Sequence, residues 1–166
     1  LVSGDEIWPG ALRIDWGRRK VLVRSVVDPS GAVRMVPTLL FAYGTLAPEG
    51  PVKRVDDGWV ADRVRGRLYD LGPYPALLDC GDVQANWVEG YVRSVDPDEL
   101  SERLDPYEGV DEGLYRRVTA MTEAGRLVWV YVYARPLPSS ARGPLTRWER
   151  PRSGGDGDPS DSVRTV

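Results

Sequence analysis

Histidine is missing from this 166-residue chain altogether. That one absence excludes Ser-His-Asp and Cys-His catalysis together with the usual histidine-based zinc and non-haem iron ligand sets. Cysteine occurs once, at Cys80, so no disulfide can close within the chain, and a reducing compartment suits it. Cys80 itself reads as a small hydrophobe at a strand end. Lysine is scarce, with Lys20 and Lys53 alone. Proton transfer is therefore left first to carboxylates, with tyrosine, the thiol and a terminal amine behind them.

Long apolar runs are missing as well. None approaches the roughly 18 to 20 residues that span a bilayer, and the first residues lack a basic-then-apolar signal pattern. The expected setting is cytoplasmic, without a membrane partner. There is no basic excess, since the net charge is -3, so nucleic acid is not an expected partner. A charged fraction of 28% and a hydrophobic fraction of 42% describe an ordinary globular domain. The length suits one domain, with a core able to bury about two thirds of the unfolded surface.

What is present centres on Thr38 to Leu46, an apolar run that breaks at Gly44. It predicts a buried strand followed by a loop from Tyr43 to Leu46 whose main-chain amides are available to a ligand. Gly44, having no Cβ, suits a positive φ or a close approach of the backbone to a bound group.

Before this run, residues 1–36 read as an extension of uncertain structure. Valines flanking Asp28-Pro29-Ser30-Gly31 suggest either a hairpin or a loosely attached segment. Residues 37–136 form the expected domain. Within it, Trp59 to Leu71 and Trp87 to Val95 read as strands centred on Gly66 and Gly90, as in a curved or closed sheet. Ala76 to Cys80 adds a short strand.

Asp96 is a good helix N-cap with Pro97 at the first helical position, and Leu100, Leu104 and Tyr107 recur at i, i+4 and i+7. Pro106 and Gly109 end this helix, leaving Glu108 at its exit. Tyr115 to Met121 and Leu127 to Tyr133 predict a hairpin about Glu123-Ala124-Gly125-Arg126. Residues 137–166 read as a largely disordered tail, most clearly over Ser153 to Ser162.

Tyr43-Gly44-Thr45-Leu46, the run Gly66 to Ala76, Val88-Glu89-Gly90, Leu104-Asp105-Pro106-Tyr107-Glu108-Gly109 and Tyr115-Arg116-Arg117 occur in this order. Together they resemble the gamma-glutamylcyclotransferase-like family, which includes the gamma-glutamylamine cyclotransferases and the plant AIG2-like proteins. The resemblance covers roughly residues 38 to 134. It implies an α+β fold, a small mixed β-barrel with flanking helices, and a cavity lined by the Tyr43 loop.

The resemblance further implies that this loop holds a gamma-glutamyl group and that Glu108, in the Tyr-Glu-Gly position, is the acid-base residue. Tyr43, Gly44, Thr45 and Leu46 are the expected substrate-binding residues. Tyr74 and Tyr115 join them as pocket walls or hydrogen-bond donors, or else are core packing. The implied reaction releases 5-oxoproline from a small-molecule gamma-glutamyl compound. Its nucleophile belongs to the substrate, so neither cofactor nor metal is expected. A non-catalytic module of the same fold, binding gamma-glutamyl metabolites, is the alternative. For Glu108 taken alone, the plain alternative is a solvated glutamate or one paired with Arg116 or Arg117.

Overall fold

The computed structural model describes residues 11–16, 19–48 and 58–151. Its main sheet has seven strands: β4 (Leu39–Ala42), β5 (Val60–Asp70), β6 (Pro75–Leu78), β7 (Asn86–Ser94), β8 (Tyr115–Met121), β9 (Leu127–Tyr133) and β10 (Arg142–Leu145). The order is β10-β5-β7-β4-β9-β8, with β6 also paired to β5. β4 runs parallel to β9 and antiparallel to β7. The sheet is therefore mixed, as expected.

The sheet curls until β5 meets the end of β8. Val64 of β5 bridges Thr122 just beyond β8, and Glu123 N donates to Arg63 O at 2.8 Å. Two ion pairs, Arg63–Glu123 and Arg126–Asp62, lie across the same seam. This barrel-like curl faces inward with Phe41, Val64, Leu68, Val88, Val128 and Val130, all fully or nearly fully buried. The alternation of β7 and the β8–β9 hairpin agree with the pattern read from the sequence. Among the described residues no helix is long and apolar enough to cross a membrane.

Three expectations change. In the N-terminal region the hairpin alternative holds: β2 (Arg19–Val27) pairs with β3 (Val33–Pro37), and β1 (Ala11–Trp16) extends them to a three-stranded sheet. Residues 1–10 lie outside the described residues.

The expected helix is the second. Asp96 does cap it, its side chain accepting from Asp98 N at 2.9 Å. However, α1 (Pro97–Glu99) passes into a π-helical turn at Leu100–Leu104 and then into α2 (Asp105–Tyr107). Asp105 N donates to Leu100 O, five residues back, and Pro106 has no N–H with which to resume the α pattern. The added residue rotates the next turn about the helix axis. Leu100 and Leu104 are buried, whereas Tyr107, expected on the same stripe, is 63% exposed.

The third concerns the tail, whose described part, residues 137–151, packs on the domain. β10 pairs with β5, and Trp148, 7% exposed, packs into the main core while its Nε1 donates to Asp70 Oδ1 at 3.0 Å. A four-residue strand containing Gly143-Pro144 has no alternation to betray it, and a single tryptophan carries the burial. The expectation for Ser153 to Ser162 falls outside the described residues. Trp148→Ala is expected to cost about 3–5 kcal/mol, the usual loss for a large core aromatic. In urea denaturation the midpoint should fall with an unchanged slope.

Candidate active site

Glu108 ends α2 in a full Schellman arrangement. Gly109 N donates to Pro106 O at 3.2 Å and Val110 N to Asp105 O at 3.0 Å. The arrangement needs a left-handed residue after the cap, and Gly109 supplies it with φ +64°. The chain turns back at once, with Leu114 N bonded to Gly109 O. The glutamate is thus held at the junction between the helical turn and the approach to β8.

Its carboxyl is buried, the residue being 8% exposed. Burial alone pushes its pKa up from 4.5 to about 7. The arginine that might have paired with it is engaged elsewhere: Arg117 Nη1 lies 3.0 Å from Asp105 Oδ2. Among the described residues Glu108 makes no ion pair and no side-chain hydrogen bond. The plain reading of a solvated or paired helix-end glutamate is therefore not what the fold contains.

Phe41, Ala42, Tyr43, Gly44, Thr45 and Leu46 line a half-open cavity of about 20 Å³ together with Glu108, Pro75, Tyr115 and Tyr131. It has room for about one water. The loop that follows β4 is therefore brought to the glutamate across more than 60 residues of chain. Among the described residues, the N–H groups of Gly44, Thr45 and Leu46 meet no acceptor. Thr45 O, by contrast, accepts from Arg150 Nη2 at 3.1 Å.

Of the two reasons expected for Gly44 a positive φ falls away, and a close contact within the protein is added. Its φ is not positive, and a Cβ there would stand 2.5 Å from Pro75 Cγ. The close approach is to the proline ring that forms the other wall.

The tyrosines divide. Tyr43 is buried and its hydroxyl donates to Tyr131 O at 2.6 Å, with burial as the first cause that raises its pKa. Tyr115 donates to Pro75 O, and its pKa too is raised, first by burial and then by the Glu108 charge. Both therefore stay neutral beside Glu108. Tyr74 does not line the cavity; it packs edge-on against Tyr115 at 6.3 Å between ring centroids. Of the two roles open to it, core packing is the one the fold shows.

Pro75 and Tyr131 were not singled out from the sequence. Pro75 lay unmarked within the run Gly66 to Ala76, and Tyr131 within the predicted strand Leu127 to Tyr133. Asp105 reads from the sequence as fixing the helix end, and it does so through Tyr131 and Arg117.

A groove of about 1220 Å³ adjoins the cavity and shares Tyr43 and Gly44 with it, its other walls including Asp62, Glu89, Tyr91 and Trp148. It is far the larger space, but Glu108 does not line it. The small cavity is the one lined by both the desolvated Glu108 and the Gly44–Leu46 loop. Among the described residues no group of three or more acidic or cysteine side chains is placed to hold a metal.

A curled mixed sheet whose parallel strand ends in an amide-bearing loop beside a buried carboxyl defines the class. The comparisons agree with it: the family described as gamma-glutamyl cyclotransferase, AIG2-like, matches residues 40–150. The chain belongs to that family. A crystal structure of an AIG2-like protein from Mus musculus is similar in fold over 68% of this chain and 88% of that one, with a TM-score of 0.50 and 21% identity. An uncharacterised protein from Pyrococcus horikoshii is similar over 63% of this chain and 85% of its own, with a TM-score of 0.46 and 20% identity. Among curated proteins none matches the chain.

A raised carboxyl pKa has a consequence for stability. Between pH 4.5 and about 7 the folded protein keeps a proton that the unfolded chain gives up, so stability falls as pH rises through this window. The full penalty, on the order of 3 kcal/mol, applies above it. Glu108→Gln is therefore expected to be more stable than the parent at pH 8 by up to that amount. Denaturant melts should show the difference vanishing below pH 4.5.

Proposed function

We propose that the protein is a gamma-glutamyl cyclotransferase that converts a gamma-glutamyl compound into 5-oxoproline and a free amine or amino acid. The observation that supports this most is the Glu108 carboxyl, buried without a partner among the described residues and sharing its cavity with the Gly44–Leu46 loop, whose amides are unpaired there. Membership of the family points the same way. A small-molecule substrate is the only partner the reaction needs, and no cofactor enters it. The cytoplasm is the compartment we propose.

In this reading the substrate's alpha-amine attacks its own gamma-carbonyl. Glu108 takes one proton from the alpha-ammonium, the freed amine forms the C–N bond, and the carbonyl oxygen takes up negative charge. The nitrogen's second surplus proton passes to water, from which the departed amine later takes one up. The tetrahedral centre then collapses, the bond to the leaving amine breaks, and that amine recovers the proton from Glu108. No atom is left over. One carboxyl serves first as base and then as acid.

The raised pKa fits both halves. An ordinary glutamate near 4.3 facing an ammonium near 8 is about 5 kcal/mol short of taking the proton. At about 7 the gap falls to roughly one unit, or about 1.4 kcal/mol. The Gly44, Thr45 and Leu46 amides supply donors for the oxyanion or the alpha-carboxylate. Each such donor is typically worth about 10² to 10³ in rate. Folding the substrate so that amine and carbonyl meet draws on effective molarities of about 10⁵ to 10⁸ M.

A gamma-glutamyl group is larger than the 20 Å³ cavity, so seating it parts the Tyr43–Leu46 loop from Glu108. The adjoining groove then receives the leaving amine. A pure binding module of the same fold is the weaker reading. Holding an ammonium-bearing ligand calls for an ionised carboxylate, which an exposed glutamate provides at no cost in stability.

Glu108→Gln is expected to abolish 5-oxoproline formation across a panel of gamma-glutamyl amines and amino acids, with an unchanged circular-dichroism spectrum. In the parent protein, kcat/KM should climb with pH along a limb centred near 7, where Glu108 loses its proton. Turnover near the parent level in the glutamine variant would overturn the assignment.

A further inference from the structure

Tyr131 of β9 is hydrogen-bonded to both halves of the site. Its main-chain carbonyl accepts from the Tyr43 hydroxyl at 2.6 Å, and its own hydroxyl donates to Asp105 Oδ1 at 2.7 Å. Tyr43 opens the loop that carries the unpaired amides. Asp105 opens the helical turn that ends at Glu108. Loop and turn are thus fastened to one residue of one strand.

The turn needs such a fastening. After the π-helical stretch, α2 is only three residues long, and Pro106 contributes no N–H to hold it to the preceding turn. Its side-chain ties to the sheet run through the Asp105 carboxylate, which takes Tyr131 Oη from β9 and Arg117 Nη1 from β8. The Asp105 main-chain carbonyl also accepts from Val110 N, closing the arrangement in which Glu108 is the cap. Wherever Asp105 is anchored, Glu108 follows within one turn.

We propose that Tyr131, acting with Asp105, is a positioning residue that sets the depth of the Glu108 carboxyl and its separation from the Gly44–Leu46 amides. The inference rests on the cyclotransferase reading of the site. It goes beyond it in assigning the geometry to a strand residue that contributes no acid, base or oxyanion donor. The titratable groups that line the cavity with Glu108 are Tyr43 from the β4 loop, Tyr115 from β8 and Tyr131 from β9, all kept neutral by burial. The Asp105 carboxylate is paired with Arg117 and accepts from the Tyr131 hydroxyl. Loosening the turn therefore changes the water around Glu108 rather than a neighbouring charge.

Tyr131→Phe keeps the ring and removes the hydroxyl. The Glu108 carboxyl can be followed by carbon NMR of the labelled protein, assigned by its loss in Glu108→Gln, with no substrate present. Its titration midpoint is expected to move at least one unit from about 7 toward 4.5 in the phenylalanine variant. kcat should fall about tenfold to a hundredfold, as displacements of about 1 Å do, while KM stays within about threefold. Asp105→Ala should fall with it. Asp105→Asn, which retains an acceptor for the Tyr131 hydroxyl, should recover most of the loss, and this pair decides the matter if the tyrosine variant does not fold.

An unchanged midpoint and kcat in Tyr131→Phe, or an Asp105→Asn protein as impaired as Asp105→Ala, would overturn the positioning role. Continued 5-oxoproline formation by Glu108→Gln alongside a shifted midpoint in Tyr131→Phe would instead remove the proposed chemistry and leave the positioning intact. The two failures are therefore distinguishable.

Discussion

A carboxyl group buried with nothing to pair it is the constraint on which the site depends. Taking Glu108 out of water raises its pKa to about 7 and costs the fold on the order of 3 kcal/mol at neutral pH. Domains of this size are stable by about 5–15 kcal/mol in total, so the penalty is a sizeable share. The surroundings are arranged so that it persists. Arg117 is occupied by Asp105, the Tyr43 and Tyr115 phenols stay neutral, and Gly109 lets the chain turn back directly after the glutamate.

The other half of the site comes from a strand end. β4 lies inside the sheet between β7 and β9 and pairs with β7 through Ala42, and the unpaired amides follow where that ladder stops. Gly44 then packs directly on Pro75, which lets the loop lie close to the wall opposite. Arg150 reaches Thr45 O from the segment after β10, so the C-terminal part of the domain supports the loop as well. The strands meet at the Val64–Thr122 bridge, and this closing of the curl gives both halves one rigid frame.

Much of this was legible in the chain itself. Strand-type runs on either side of a glycine-containing turn exposed the β8–β9 hairpin, and the apolar run before Gly44 exposed β4, because short runs bounded by turn residues read as strands. The motif order pointed to the family and to Glu108. The π-helical turn was not legible, since i, i+4 and i+7 spacing at Leu100, Leu104 and Tyr107 assumes an unbroken α-helix. Nor was β10, whose pairing depends on an available edge of β5 rather than on any pattern of its own.

The sequence by itself narrowed the kinds of chemistry open to this protein: without histidine and with a single cysteine, a carboxylate was the default candidate base. It also determined which strand ends in a loop and which glutamate follows a helix. Only the tertiary structure decided that Glu108 is buried and unpaired, that Arg117 is turned to Asp105, and that Tyr131 links loop and helix. Burial and pairing are set by which distant segments pack together, and a linear pattern records the local period of a segment but not the neighbours it will meet.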